Sequence, residues 1–502
     1  MKGIVAAGDS LSAKAGAEIL QKGGNAFDSL TATLFAAYMA EPALTSPAGG
    51  GVLLVYDKHG NIFSYDFFVN TPRTLSEKKD FFPIVVDFGS AKQVFHIGHA
   101  SIAVPGVLMG VLNIHNEYGR LPLKEVLQPA IKYSEDGVYL SPFQNYILEI
   151  LKPIFFSNEE AIRIFTKNGK IIGSNVLWRN PDYTRFLKKI IKEGANSLYK
   201  GEIAEEFVEL CIKNDGLIRM EDLTNYKVTI KSPLKVKFLD YEILTPPASS
   251  IGGILISVAL KILENDNIGT WGSIEHAESL IRSMEISKDI RENIIKENIK
   301  NYHQLLEEEL LNKKRTNYND FFKSTGNTTH ISVLDNEGNA LSCTTSIGEG
   351  SGIIIPKTGI MTNNMLGEED LNPKGFFNWT PGERLQTMMS PTVITKNGNR
   401  YAALGSSGSN RIRSAIVQTI VNLLYFNQDI YSAINNPRIH YESKTLYIEP
   451  GFPLSTVNKL KNKYKVVEFK EKNLFFGGVQ AVCQDFTGAG DIRRGGAIEC
   501  IR

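Results

Sequence analysis

Thr328 stands directly after Asn327 and opens the run Thr328-Thr329-His330. A threonine in that place can serve two ends. As a β-branched residue it suits the first position of a strand. As a nucleophile it needs help, because its hydroxyl attacks poorly unless something takes the proton. If the peptide bond between Asn327 and Thr328 is cut, the freed α-amine titrates near neutral pH. One residue then supplies both nucleophile and base. That chemistry requires a strand start that projects from a sheet edge and a preceding segment able to leave.

Other chemistries find little footing. The four cysteines, Cys211, Cys343, Cys483 and Cys500, are scattered and form no CxxC pair, so buried free thiols in a reducing compartment are expected. His96 and His99 sit three residues apart, but with a glycine between them and no carboxylate nearby they read as structural rather than as a metal pair. No GxSxG elbow offers a serine triad. The triple glycine of "SPAGGG" (Ser46–Gly51) lacks a following Gly-Lys-Ser/Thr and leads into a strand, so close backbone packing explains it better than phosphate binding. With 502 residues, 42% of them hydrophobic, the chain can bury a large core. A net charge of +1 without a basic stripe argues against nucleic acid as a partner. The first residues turn polar at Asp9, too soon for a secretory segment, and "GGILISVALKILEN" is interrupted by Lys261 and too short to span a bilayer. A soluble, cytoplasmic protein without a membrane partner is predicted.

The elements that must position Thr328 are legible on both sides of it. Ser10 or Ser12 caps a first helix to about Gln21, which "KGGN" ends. A second helix, "AFDSLTATLFAAYMAEPAL", is apolar nearly all round and therefore buried, and it stops near Pro42. "VLLVYDKHGNIFSYDFF" reads as a hairpin. The periodicity is largely helical from "VPGVLMG" to about Met220, and "PLKVKFLDYEILTPPASSIGGILISVALKILEN" reads strand, loop, helix. Between Ile290 and Asn327 a helical pattern decays into a Lys/Asn-rich, exposed and mobile connection. After it the texture changes: "THISVLDNEGNALSCTTSIG" alternates around a turn, and short strands follow with one helix, "RIRSAIVQTIVNLLYFNQ".

Taken together, "GIVAAGDSLSAKAGAEILQKGGNAFDS", "SPAGGGVLLVYD", "GHASIAVPGV", "YGRLPLKEVLQPAIKYSEDG", "TTHISVLDNEGNALSCTTSIGEGSGI", "MMSPTVI" and "GSSGSNRI" resemble the γ-glutamyltranspeptidase family of N-terminal nucleophile hydrolases across almost the whole chain. The resemblance implies an α+β fold, a four-layer αββα sandwich with an extra helical region in the first part. It implies a precursor that cuts itself between Asn327 and Thr328 into a large fragment, 1–327, and a small one, 328–502, which stay associated as one structural unit. Assembly into homo-oligomers stays open. The activity implied is transfer or hydrolysis of a γ-glutamyl or related acyl amide, a small molecule or peptide, through an acyl-enzyme on Thr328, without cofactor or metal. The rival outside catalysis is a binding protein that kept the fold.

Residue by residue, Thr328 matches the family nucleophile. Thr344 and Ser346 fall where hydroxyls stand beside it, Ser346 in place of a usual threonine. Gly408 and Ser409 match the paired glycines whose N–H groups form the oxyanion hole, donors that typically contribute about 3–4 kcal/mol each. The part that reads the substrate is rewritten. Phe68 occupies the position of an arginine that clamps a carboxylate, and that is not a conservative change. Gly348 replaces an asparagine, Glu368 replaces an aspartate, and Thr387 and Met388 replace a pair of serines, while Asn364 is retained. This pattern resembles the acylase-like branches. Arg384 or Arg411 is a candidate for the missing cation. Phe376, Phe377 and Trp379, in "LNPKGFFNWTPGER", could cap an apolar substrate or simply pack.

Overall fold

Two hairpins build the frame of the site. Residues 50–67 fold as expected into strands Gly50–Tyr56 and Ile62–Phe67, with Tyr56 opposite Ile62. Residues 329–346 fold into Thr329–Asp335 and Ala340–Ser346. The turn between them is held by the Asp335 carboxylate, which accepts from the backbone N–H groups of Glu337, Gly338 and Asn339. The computed structural model describes residues 2–87, 92–297 and 327–502. The mobile connection expected ahead of Thr328 therefore lies, from residue 298 onward, outside the described residues.

The hairpins join side by side in a seven-stranded antiparallel sheet. Its order is Ala497–Ile501, Gly3–Ala7, Thr329–Asp335, Ala340–Ser346, Gly50–Tyr56, Ile62–Phe67 and Thr229–Lys231. Thr329–Asp335 is thus a central strand, buried at every residue. Gly51 explains part of the triple glycine: a β-carbon there would meet the Phe67 ring at 2.5 Å and the Thr344 carbonyl at 2.9 Å.

A second sheet of six strands runs Gly488–Gly490, Gly478–Cys483, Asn399–Ser407, Thr392–Lys396, Tyr241–Thr245 and Leu234–Phe238. The last two form a hairpin where the sequence suggested one strand, because Leu239 adopts φ 55° and closes the turn. The two sheets face each other. Far from Thr328 the space between them is apolar, filled by Ile4, Leu54 and Leu334 from the first sheet and Leu244, Val393 and Val482 from the second. Near Thr328 it is polar. Ser342 donates to the Leu404 carbonyl at 2.7 Å, and Ser332 donates to the Gln480 carbonyl at 3.1 Å.

Helices cover the outer faces. Ser10–Gln21 and the wholly buried Ala26–Ala40 pack on the first sheet, and the helices between Val107 and Thr224 enlarge that core. Ile251–Glu264, Ile274–Glu297 and Arg411–Ile420 pack on the second sheet. The first helix is capped by Asp9, not by Ser10 or Ser12. The Asp9 carboxylate accepts from the Leu11 N–H at 2.9 Å, while Ser12 turns inward to donate to Glu41.

No helix among the described residues is long and apolar enough to cross a membrane. Cys211, Cys343 and Cys483 are buried thiols, but Cys500 is exposed because it lies on the edge strand Ala497–Ile501. His99 pairs with Asp80 at 2.6 Å and His96 stacks on Phe81, so the two rings serve different neighbours.

Candidate active site

Thr328 lies just ahead of the central strand. Thr329 pairs with Thr345, which brings Thr328 level with Ser346 at the end of the neighbouring strand. In this uncut chain the Ser346 hydroxyl donates to the Asn327 carbonyl at 2.5 Å and accepts the Gly348 N–H at 2.8 Å. A hydroxyl donor thus sits on the carbonyl of the very bond whose cleavage would free Thr328. Thr344, one step further along, is engaged elsewhere. Its hydroxyl meets His330 Nδ1 at 2.8 Å, and the other ring nitrogen lies 3.0 Å from Ser332. Burial lowers the His330 pKa to about 3, so the ring is neutral and stiffens the strand start.

From the opposite face the strand start is anchored by Glu41, which nothing in the sequence singled out. Thr329 donates to one carboxyl oxygen at 2.6 Å and Ser12 to the other at 2.7 Å. Burial, then repulsion from Asp9, raises the Glu41 pKa to about 8.

Beyond Ser346 the chain turns at Gly348, with φ 69°. A β-carbon at Gly348 would stand 1.9 Å from Glu368 Oε1 and 2.2 Å from Asn364 Oδ1. The space that an asparagine would take at this turn is therefore filled by the longer acid at 368 and by Asn364. Asn364 itself accepts from the Glu349 N–H at 2.9 Å and does not line the cavity. Glu349, wholly buried, was missed by sequence reasoning. Neither of its oxygens receives a full hydrogen bond; its neighbours are the Glu368 carboxyl and the Asn327 backbone N–H. Burial, then repulsion from Glu368, raises its pKa well above the carboxylate range. Glu368 is raised to about 7, by burial first and then by Asp370, so the pair holds a proton at neutral pH.

The loop expected to form the oxyanion hole joins this wall. Gly408 has φ 116° and Ser409 has φ 49°. Gly408 faces Gly477, whose Cα would lie 2.9 Å from an added β-carbon. Ser409 lines the cavity, and its hydroxyl donates to Asp370 at 2.7 Å. The left-handed conformation at a serine is the kind of local strain that collects at functional sites.

Thr328, Ser346, Glu368, Thr387, Ser409 and Phe68, among others, line a cavity of about 50 Å³. Phe68 is 1% exposed and belongs to an apolar cluster with Met365 and Met389. Thr387 contributes more structure than recognition: its hydroxyl accepts from the Met389 N–H at 3.2 Å. Neither predicted replacement cation reaches this space. Arg384 is held by Asp66, the Phe68 carbonyl and the Tyr226 hydroxyl, and its guanidinium lies over the Tyr226 ring. Arg411 faces Glu442 and stacks on Phe475. Among the described residues, the cation that lines the cavity is Arg291, near the end of helix Ile274–Glu297. No local motif announces it, and only the docking of that helix on the second sheet brings it in. Phe376 and Phe377 pack on Phe81 rather than over the cavity, which Leu371 and Pro373 line instead.

A threonine at the head of a central strand here opens onto a cavity between hydroxyl, backbone-loop and carboxyl walls, an arrangement compatible with the N-terminal nucleophile class of enzymes. Residues 12–501 match the sequence profile of gamma-glutamyltranspeptidase, and the chain belongs to that family. It is 29% identical to the capsule biosynthesis protein CapD proenzyme of Bacillus anthracis, over 98% of this chain and 89% of that one. It is 28% identical to the glutathione hydrolase proenzyme of Escherichia coli (strain K12), covering 94% and 86% of the two chains. It is 29% identical to the acylase ACY 1 proenzyme of Pseudomonas sp. (strain SE83), covering 91% and 86%. In fold it is similar to cephalosporin acylase from Bacillus halodurans, with a TM-score of 0.86, 23% identity, and 100% and 96% of the two chains covered.

Proposed function

We propose that the chain is a self-processing acyl-amide hydrolase or transferase whose nucleophile is Thr328. The observation that carries this reading is the Ser346 hydroxyl on the Asn327 carbonyl at 2.5 Å. The Thr328 hydroxyl attacks that carbonyl, the acyl group of Asn327 moves from nitrogen to oxygen, and water hydrolyses the ester. Fragments 1–327 and 328–502 result. The facing sheets and their two helical coats support the reading that this is a four-layer αββα sandwich shared by both fragments.

In the mature form the freed α-amine takes the proton of the Thr328 hydroxyl as it attacks a substrate amide, then delivers it to the leaving amine. In this reading Ser346 and the backbone N–H groups of Gly408 and Ser409 steady the oxyanion. Water or a second amine completes the cycle. The relatives at nearly equal identity carry names that differ in substrate. What favours an acyl group other than γ-glutamyl is Phe68, buried in the cavity wall where a carboxylate clamp would be.

Incubated protein should resolve into two bands, with the small fragment beginning at Thr328 by mass spectrometry. Thr328→Ala should remain a single chain. An intact parent chain after prolonged incubation would sink the reading.

A further inference from the structure

We infer that Glu349 is a positioning residue for self-cleavage: its buried carboxyl faces the backbone N–H of Asn327 while Ser346 holds the carbonyl of the same residue, so that one turn presents the scissile bond to Thr328. This rests on Thr328 being the nucleophile. Glu349 is wholly buried behind the cavity, which Glu368 lines. Its carboxyl has the Asn327 N–H and the Glu368 carboxyl as neighbours, yet neither of its oxygens has a full hydrogen bond. A buried acid so short of partners costs stability, and such groups collect where a reaction uses them. Contacts that serve a reaction are often long at rest and tighten as it proceeds. Here the contact that tightens is Asn327 N–H to Glu349, as the Asn327 carbonyl carbon becomes tetrahedral.

The turn that carries Glu349 is fixed on both sides. Gly348 and Gly350 have φ of 69° and 87°. The Gly348 N–H donates to the Ser346 hydroxyl at 2.8 Å, and the Glu349 N–H donates to Asn364 Oδ1 at 2.9 Å. Ser346 and Glu349 therefore meet Asn327 from a single rigid corner. In the reaction the Thr328 hydroxyl oxygen bonds to the Asn327 carbonyl carbon, the C–N bond to Thr328 breaks, and the hydroxyl proton ends on the Thr328 nitrogen. Glu349 exchanges no proton. The corner must nevertheless stay uncharged, because the Asn327 oxygen becomes an anion beside it. Burial, then repulsion from Glu368, keeps the proton on Glu349, so the pair first gains charge on Glu368, with a pKa of about 7. Asp370 adds negative charge next to both acids. Arg494, packed behind Gly408, is a cation that acts on Glu349, and Arg291 is bonded to Asn410 and the Asp370 carbonyl.

The test follows the full chain, freshly made by cell-free synthesis and shifted to buffers between about pH 6 and 9, by the appearance of its two fragments on gels. Glu349→Ala should slow cleavage about ten- to hundredfold, because it strands a buried N–H. Glu349→Gln keeps an uncharged acceptor and should stay within about threefold of the parent. Glu368→Gln removes the charge that the pair gains, so its rate relative to the parent should climb from about one near pH 6 to about tenfold near pH 9. The ratio cancels the general rise in hydroxyl reactivity with pH, and a merely structural role would not move it. Melts of the same substitutions in the uncleavable Thr328→Ala chain report folding separately; should Glu349→Ala not fold there, the Glu368→Gln ratio decides alone. Cleavage of Glu349→Ala at the parent rate, a folded Glu349→Gln as slow as Glu349→Ala, or a flat Glu368→Gln ratio would each overturn the assignment. A parent chain that never cuts overturns the Thr328 reading, and this one with it; a parent that cuts without regard to Glu349 overturns this one alone.

Discussion

Ser346 stands where the family resemblance implies a threonine, and its hydroxyl reaches the Asn327 carbonyl at 2.5 Å. Loss of the methyl group leaves the donor in place. Ser346→Ala should therefore slow self-cleavage by roughly a hundred- to thousandfold, the usual effect of deleting an oxyanion donor. A time course of fragment appearance on gels measures this, and processing at the parent rate would show that the contact is idle. Around this point the sequence was legible for contiguous reasons: Thr328 and the hydroxyl strand lie within one hairpin. Glu349 and Arg291 were not legible, because their meaning comes from convergence. Glu349 matters through Glu368 and Asn327, and Arg291 through a helix that begins at Ile274. Gly348 and Glu368, read separately in the sequence, are two unrelated replacements. Together they are one exchange of volume, since the acid occupies the room that a side chain at 348 would need.

The central strand owes its position to both faces. Toward the second sheet His330 and Thr344 bond each other; on the other side Thr329 is tied to Glu41. Glu41 is neutral in the folded protein up to a pKa of about 8, whereas in the unfolded chain it ionises near 4.5. Its contribution to stability is full below about pH 4.5 and shrinks as pH rises toward 8, because only the unfolded chain gains easily from ionisation. Glu41→Gln mimics the neutral acid and should flatten the fall in melting temperature between about pH 5 and 8. Melts that retain the parent slope would assign the effect to another group. The helix before Glu41 was plain from its unbroken apolar surface. The acid at its end was not, since a lone glutamate beside Pro42 carries no sign of the strand that will bond it.

Strands of the two proposed fragments alternate through the first sheet. Gly3–Ala7 lies between Ala497–Ile501 and Thr329–Asp335, and Gly50–Tyr56 adjoins Ala340–Ser346. The second sheet has a further seam, Tyr241–Thr245 against Thr392–Lys396. After cleavage the fragments should co-elute in native size exclusion, melt in one transition, and separate only in denaturant. Dissociation at moderate salt would contradict the shared core, which is apolar and insensitive to screening. The change of texture at Thr328 foretold a boundary in the chain, but no local pattern could foretell this interleaving, because strand partners hundreds of residues apart leave no periodic trace.

That first strand has a consequence for timing. Gly3–Ala7 is made early, while Ala497–Ile501 is synthesised after every other strand of its sheet. The sheet that braces Thr328 is therefore unfinished while the ribosome is still at work on the small fragment. A chain stalled before residue 497 lacks an outer neighbour for the strand beside the nucleophile's own. On the proposed reading, a chain that stops short of residue 497 should remain in one piece, because the strand beside the nucleophile's own then lacks its outer neighbour.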